Sequence, residues 1–280
     1  MTTQTIGGRT ADTFSGVLDT VIQQSSPSTT SGSVDRFQVS LAVAGQERKS
    51  LIQFTGLSNI AGPVAVSSVV ISLFRLNNVT APNRLINCKK VLRAVSEAGA
   101  SWNNYAAGTP WQTAGALGAL DVDATVLATG TIPSTGNQRF TVSGAGLTAL
   151  VQDVINGVVS NPWLILEVSD PGTVGSGDFD IASTQRATES QRPYMEVTFT
   201  PLTANASMPG VDCTKFDGSV TVRVYLDAPA PVGGVNGVLN TTSAGHTAMA
   251  GLDYTAQAAV PFSIAEGQSS GQVVIPLLSA

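Results

Sequence analysis

Charge is scarce in this chain. Asp, Glu, Lys and Arg make up 12% of its 280 residues, against about 25% in an ordinary soluble domain. Ser, Thr, Asn, Gln and Gly must therefore carry the surface, which suits a protein held in an assembly or living outside a cell. The 14 basic residues are scattered and the formal net charge is −5, so no basic run exists to displace counterions from a phosphate backbone, and nucleic acid is not an expected partner. Histidine is rarer still. His246 is the only one; it lies in the Thr/Ser/Gly-rich stretch 241–247 with no acid spaced to orient it, which speaks against a His-centred triad. The two cysteines, Cys88 and Cys213, fall in segments that read as different domains. That argues against a structural disulfide and, with so few soft ligands, against zinc.

Long apolar runs are also missing. The longest, Val64 to Phe74, is interrupted by Ser67, Ser68 and Ser72 and is too short to span a bilayer, so no membrane partner is expected. Met1 to Thr10 has neither the basic nor the apolar region of a secretory leader, from which synthesis in the cytoplasm without a signal peptide is expected. Gly172, Gly175 and Gly177 are followed by neither a Lys nor a helix start and read as loop punctuation, not a phosphate cradle.

What the chain does have is alternation of period two. Ser33 to Leu41, Val66 to Leu76, Gln138 to Val142 and Tyr194 to Phe199 are β-branched or alternate between apolar and polar residues, and turn residues bound them; these predict strands. One stretch differs. Leu147, Leu150, Val151, Val154 and Ile155 recur at helical spacing between Gly146 and Gly157, which predicts an amphipathic helix with a glycine stop. A single short helix among strands implies a sandwich or jelly roll whose sheets bury each other's apolar faces. Residues 1–17 are polar and lack alternation, which predicts an N-terminal arm. Residues 201–209 are small and polar and read as a linker. The expected organisation is therefore an arm over 1–17, a β-sandwich over 18–200, the linker, and a second β-rich domain over 210–280.

Two of the chain's three tryptophans lie close together, in Ser101-Trp102-Asn103-Asn104-Tyr105 and Gly108-Thr109-Pro110-Trp111. An indole offers a broad apolar face and one N–H that needs a partner. The segment can plug the end of a sandwich, or it can present Trp102, Tyr105 and Trp111 as a platform for sugar rings while Asn103 and Asn104 bond hydroxyls. Both readings stand at this point. The acids give a second candidate: Asp121 and Asp123, like Asp178 and Asp180, are spaced to share one face of an extended strand. With Asp170 they could hold calcium or, less plausibly, serve glycoside hydrolysis; the blander reading is a solvated loop edge. No other acid/base constellation is visible, and no enzyme activity is expected.

The order of several pieces carries a resemblance. Asp19-Thr20-Val21-Ile22, Arg48 to Phe54 leading into Gly56-Leu57, Val69 to Phe74, the Trp102–Trp111 segment, the helix near 147–155, Asn161-Pro162-Trp163-Leu164-Ile165-Leu166 and Arg192 to Val197 together resemble the DNRLRE domain, a β-sandwich related to carbohydrate-binding modules. Thr55 and Gln185 stand where that family usually has acids, so an ion or sugar site built on them would be weakened. Ser219 to Leu226, Gly251 to Thr255, Ile264 to Ser269 and Val273 to Leu277 are similar to a Calx-beta domain lacking its last strand and most of its calcium-binding acids, with Asp253 left alone. The resemblances imply an all-β protein: a jelly-roll-like β-sandwich followed by a smaller, truncated immunoglobulin-like β-sandwich. The shortened sheet would have an open edge, to be completed by a neighbouring subunit or by the linker or arm of the same chain.

Three functions were weighed on this basis. The first is a non-enzymatic virion protein, such as a tailed-phage capsid decoration, fibre or spike subunit, that contacts copies of itself or other virion subunits through the arm and the C-terminal edge and touches a host glycan. The second is an extracellular carbohydrate-binding module of a bacterial surface protein. The third, a hydrolase, lacks its apparatus. The first is the expectation carried forward, with no cofactor beyond a possible calcium ion.

Overall fold

The computed structural model of the chain describes residues 1–7, 16–40, 45–60, 64–76, 82–169, 179–201, 206–207, 218–227, 230, 234–241 and 249–277. These are mostly strand, and the fold is an all-β, sandwich-like one. The chain divides into two compact units, Met1–Thr200 and Pro201–Ala280.

In the larger unit the strands are β1 (Thr2–Ile6), β2 (Val17–Gln23), β3 (Arg36–Val39), β4 (Arg48–Phe54), β5 (Val64–Arg75), β6 (Arg84–Val91), β7 (Asn104–Ala106), β8 (Thr109–Pro110), β9 (Val122–Ile132), β10 (Gln138–Ser143), β11 (Leu164–Val168), β12 (Phe179–Ala182) and β13 (Tyr194–Pro201). All but β7 and β8 belong to one antiparallel, eleven-stranded sheet ordered β1-β13-β5-β10-β9-β6-β11-β4-β2, with β12 joined to β5 and β3 joined to β12. The sheet curls: β3 meets the start of β4 through a bridge between Ser40 and Arg48, so its two halves face each other. Between them lies an aliphatic core that includes Ile6, Phe37, Ile52, Ile71, Leu73, Ile86, Leu166, Phe179 and Val197, all at most 1% exposed. Each such side chain contributes about 1.5–3 kcal/mol by leaving water.

The continuous apolar run Leu164-Ile165-Leu166 has a specific cause. Leu164 and Leu166 point into the aliphatic core, while Ile165, one residue out of phase, points to a second cluster on the other side of the sheet. A strand covered on both faces has no polar alternation to show. In β4 the same division puts Ile52 and Phe54 on one side and Leu51 on the other.

The helix, α1 (Ala145–Ile155), lies where the periodicity placed it, with Leu147 and Val151 buried and Leu150, Val154 and Ile155 packed on the aliphatic core. It ends as expected: Gly157 has φ +72° and its N–H donates to the Val154 carbonyl at 3.1 Å, a turn that a side chain would strain. Gln152 ties the helix to β5 by accepting from Val66 N–H at 2.7 Å and donating to the Val64 carbonyl at 3.0 Å.

Two expected boundaries are corrected. Residues 1–17 are not an arm throughout, because Thr2 to Ile6 pair in register with Phe199 to Met195 and Ile6 is fully buried. An edge strand needs only a neighbour's free N–H and C=O groups, so its own side chains need not alternate. Within the expected linker, Pro201 ends β13, and Ala206–Ser207 form β14, paired with Leu226 and Tyr225. Residues 8–15, 202–205 and 208–217 lie outside the described residues.

The smaller unit contains β14, β15 (Ser219–Leu226), β16 (Val235–Leu239), β17 (Val260–Ile264) and β18 (Ser270–Pro276). They form a three-stranded sheet, β14-β15-β18, and a two-stranded sheet, β16-β17. The described residues give it two small clusters, one around Val224, Leu226, Ala230 and Ile264, the other around Leu239, Val273 and Ile275, with Phe262 packed against both.

Candidate functional site

The chain between β6 and β9 forms a cap over one face of the curled sheet. Register shifts at Cys88/Lys89 and Lys89/Val91 mark bulges that bend β6 as it enters this cap. Val91 N–H then donates to the Trp163 carbonyl at 2.9 Å and Leu92 N–H to the Asp121 carbonyl at 2.8 Å. Trp102, Trp111 and Trp163, which are 5%, 4% and 4% exposed, form with Ile22, Leu51, Val91, Ala100, Ala116 and Ile165 a second core. Trp111 Nε1 donates to the Ser101 carbonyl at 2.9 Å, which satisfies its only polar group in a buried place. The Tyr105 ring lies 5.6 Å from that of Trp111 and is tilted by 60° to it.

Of the two readings of this segment, the geometry has the plug. Trp102 and Trp111 present no open face on which a sugar ring could stack. Asn103 is exposed, yet its backbone is spoken for: its N–H donates to the Pro27 carbonyl at 3.0 Å, and its carbonyl accepts from Trp111 N–H at 3.1 Å. Asn104 and Tyr105 are half-buried, and Asn104 takes part in the turn, its N–H donating to Ser101 Oγ at 3.2 Å. Gly115 is required beside the indole. Its φ is +81°, and a Cβ there would lie 2.4 Å from Trp102 Cζ2.

Asp121 organises the cap. It is fully buried, and its carboxylate accepts four bonds: from Arg93 Nε at 3.0 Å and from the N–H groups of Gln112 at 2.9 Å, Thr113 at 3.0 Å and Gly118 at 3.3 Å. Burial works against its charge, but the Gln112 and Thr113 amides and the Arg93 guanidinium outweigh it and hold the carboxyl below the usual range. The Arg93 guanidinium also sits over the Tyr105 ring, 5.5 Å from its centroid.

The described members of the expected calcium set, Asp121, Asp123 and Asp180, are each engaged by donors of the protein itself. Asp121 has no lone pair directed at solvent. Asp123 is spent on a local turn, accepting from Thr125 N–H at 2.9 Å, a bond that lowers its pKa. Asp180 accepts from Arg36 Nη1 at 3.1 Å and Gln38 Nε2 at 2.6 Å between β12 and β3. The alternation argument failed for Asp121 because it precedes β9 and is turned inward by the cap's amides. Asp170, Asp178 and His246 lie outside the described residues. Among the described residues, no group of three His, Cys, Asp or Glu side chains is placed to hold a metal ion. Cys88 is a free, fully buried thiol of the aliphatic core, pushed up to about 12 by burial.

Sequence reasoning missed Arg93, Gln112 and the glycines that shape the cap. It also missed two carboxylates elsewhere. Glu167 on β11 bonds Lys89 at 2.5 Å and the buried Lys49 at 3.2 Å. Burial opposes its charge, but the two ammonium groups lower its pKa. Asp19 on β2 is 1% exposed and has no cation bonded to it among the described residues.

No protein-family model matches the chain, and no curated protein matches it. No helix among the described residues is long and apolar enough to cross a membrane.

Proposed function

We propose that the chain is a non-enzymatic structural or adhesive subunit that acts by contact with neighbouring subunits, of the kind carried on virus particles as a tailed-phage capsid decoration, fibre or spike. The observation that carries this reading is the lean build of the smaller unit. Its described residues bury only two small clusters, while Tyr225, Val238, Met249, Leu252 and Val274 stay 39–63% exposed. On the side of β15 away from β18, β14 pairs only with Tyr225 and Leu226. Exposed apolar side chains along one face of a sheet, with no partner for Ser219 to Val224 on that side among the described residues, make a surface that another strand or subunit can cover.

The larger unit supplies a rigid body to such a subunit, because both faces of its central strands are covered. The runner-up, a carbohydrate-binding module, loses its stacking platform to the plug and has no observation of its own.

Sedimentation of the full chain, with hydrogen exchange of the β15 amides, tests the proposal. Self-association that rises with concentration and slows exchange between Ser219 and Val224 is the expected result. A monomer up to the solubility limit, with no affinity for purified particles or cell surfaces, would overturn it.

A further inference from the structure

β2 is the last strand of the sheet path, paired with β4 on one side only. Its outward N–H at Asp19 is not left open: Glu97, from the cap, accepts it through Oε1 at 2.9 Å. The same residue faces the other way with its side chain. The Asp19 carboxylate accepts from Thr184 N–H at 2.6 Å, just beyond the end of β12. Glu97 is itself closely packed, since a Cβ on Gly32, in the loop after β2, would lie 2.4 Å from the Glu97 carbonyl oxygen. One residue thus joins an edge strand, the cap and the loop after β12, and does so with a carboxyl that is 1% exposed.

The charged groups on the surrounding elements do not neutralise it. From the cap comes Glu97, of like charge. Beside β3 and β12, Arg186 is engaged by Asp35 at 2.7 Å, and between these two strands Arg36 by Asp180 at 3.1 Å. On β4, Lys49 is held by Glu47 at 3.4 Å and Glu167 at 3.2 Å. A buried carboxylate with one amide donor and an anionic neighbour is better accommodated as the neutral acid.

We propose that Asp19 is a proton-controlled tie: protonated, it holds β2, the plug and the loop after β12 together, and on ionising it loosens the plug from the sheet. The proton comes from solvent. In the neutral form the Asp19 carboxyl keeps the Thr184 bond and adds no charge beside Glu97; in the charged form a second anion is buried near the carboxylate that holds the Asp19 N–H to the cap. Burial first, with a smaller contribution from Glu97, raises the Asp19 carboxyl to about 7 against the pull of the Thr184 amide and side chain. The sign follows from a raised acid: its stabilisation is complete below the unfolded value near 3.8 and is lost as pH rises through about 7. Asp121 and Glu167, both lowered, act in the opposite direction and at lower pH.

The test reads three quantities on the full chain between pH 5 and 8: the carboxyl-carbon NMR titration of Asp19, tryptophan fluorescence, and the urea midpoint. All three tryptophans lie in the plug cluster, so fluorescence reports it directly. A His246→Asn background removes the chain's single histidine from the same pH window. Asp19 should titrate near neutrality, the fluorescence should follow its midpoint, and the folding constant should fall by about a hundredfold from pH 5 to 8 in the wild type and not in Asp19→Asn. An Asp19 midpoint below pH 5, or equal pH slopes in the two proteins, would overturn the proposal. If Asp19→Asn does not fold, the wild type decides alone: fluorescence that stays flat through the Asp19 midpoint would overturn it too.

Discussion

In Met1–Thr200, β11 is apolar on both faces, with Leu166 in one core and Ile165 in another, each at most 1% exposed. In Pro201–Ala280, β15 and β18 cover one face only: Val224 and Ile275 are buried while Tyr225 and Val274, next to them in sequence, are exposed. The difference is one of layers. A strand enclosed on two sides gains burial from every residue, whereas a strand enclosed on one side gains it from every second residue and keeps a face for something else. The sheet of the larger unit is covered on both faces along its central strands, while that of the smaller unit leaves apolar side chains exposed on one.

The comparison can be broken at several places. Emptying the plug should cost most: Trp102→Ala is expected to destabilise the larger unit by about 3–5 kcal/mol, read as a lower urea midpoint. An unchanged midpoint together with lost glycan binding on an array would instead restore the platform reading. Asp121→Ala comes next, at about 3 kcal/mol, because three amides and Arg93 lose their buried acceptor. The same carboxyl sets an acid limit. Since its pKa is lowered, its contribution is present above the ordinary aspartate value and disappears as pH falls through the lowered one, so Asp121→Asn should flatten the wild-type acid denaturation curve.

Smaller effects belong to the smaller unit. Ile264→Ala should cost about 2 kcal/mol in thermal unfolding, less than Leu166→Ala at about 3–4 kcal/mol, because a thin core can collapse around a lost side chain. Equal costs would mean that the two cores are equally closed. Val274→Ser should change the stability of the isolated chain by less than about 0.5 kcal/mol while weakening its self-association in sedimentation. If association is untouched, the exposed face of β18 is not the contact.

Much of the fold was legible. Gln138 to Val142 alternates as a strand should and forms all but the last residue of β10. Leu147, Leu150, Val151, Val154 and Ile155 have helical spacing and line the inner side of α1. Both patterns are local, written in neighbours one to four residues apart. Thr2 to Ile6 carried no such pattern, because its partners are the backbone groups of β13, almost two hundred residues further on. The site was less legible than the fold. The Trp102–Trp111 segment was recognisable as unusual, but an indole has the same face whether it covers a core or a sugar, and only its burial separates the two.

Composition and periodicity alone determined the all-β class, the position of α1 and strands such as β10 and β13, since each of these follows from short-range geometry. The tertiary structure decided what the acids do. Asp121 and Asp19 are the same side chain in two buried places, one lowered and the other raised. Asp121 meets three amides from its own loop and a guanidinium. The Asp19 carboxyl meets Thr184, from 165 residues away, while Glu97, which accepts from the Asp19 N–H, adds a like charge nearby. A buried charge persists where donors converge on it and is given up where they do not, and which donors converge is a matter of how distant strands are brought together.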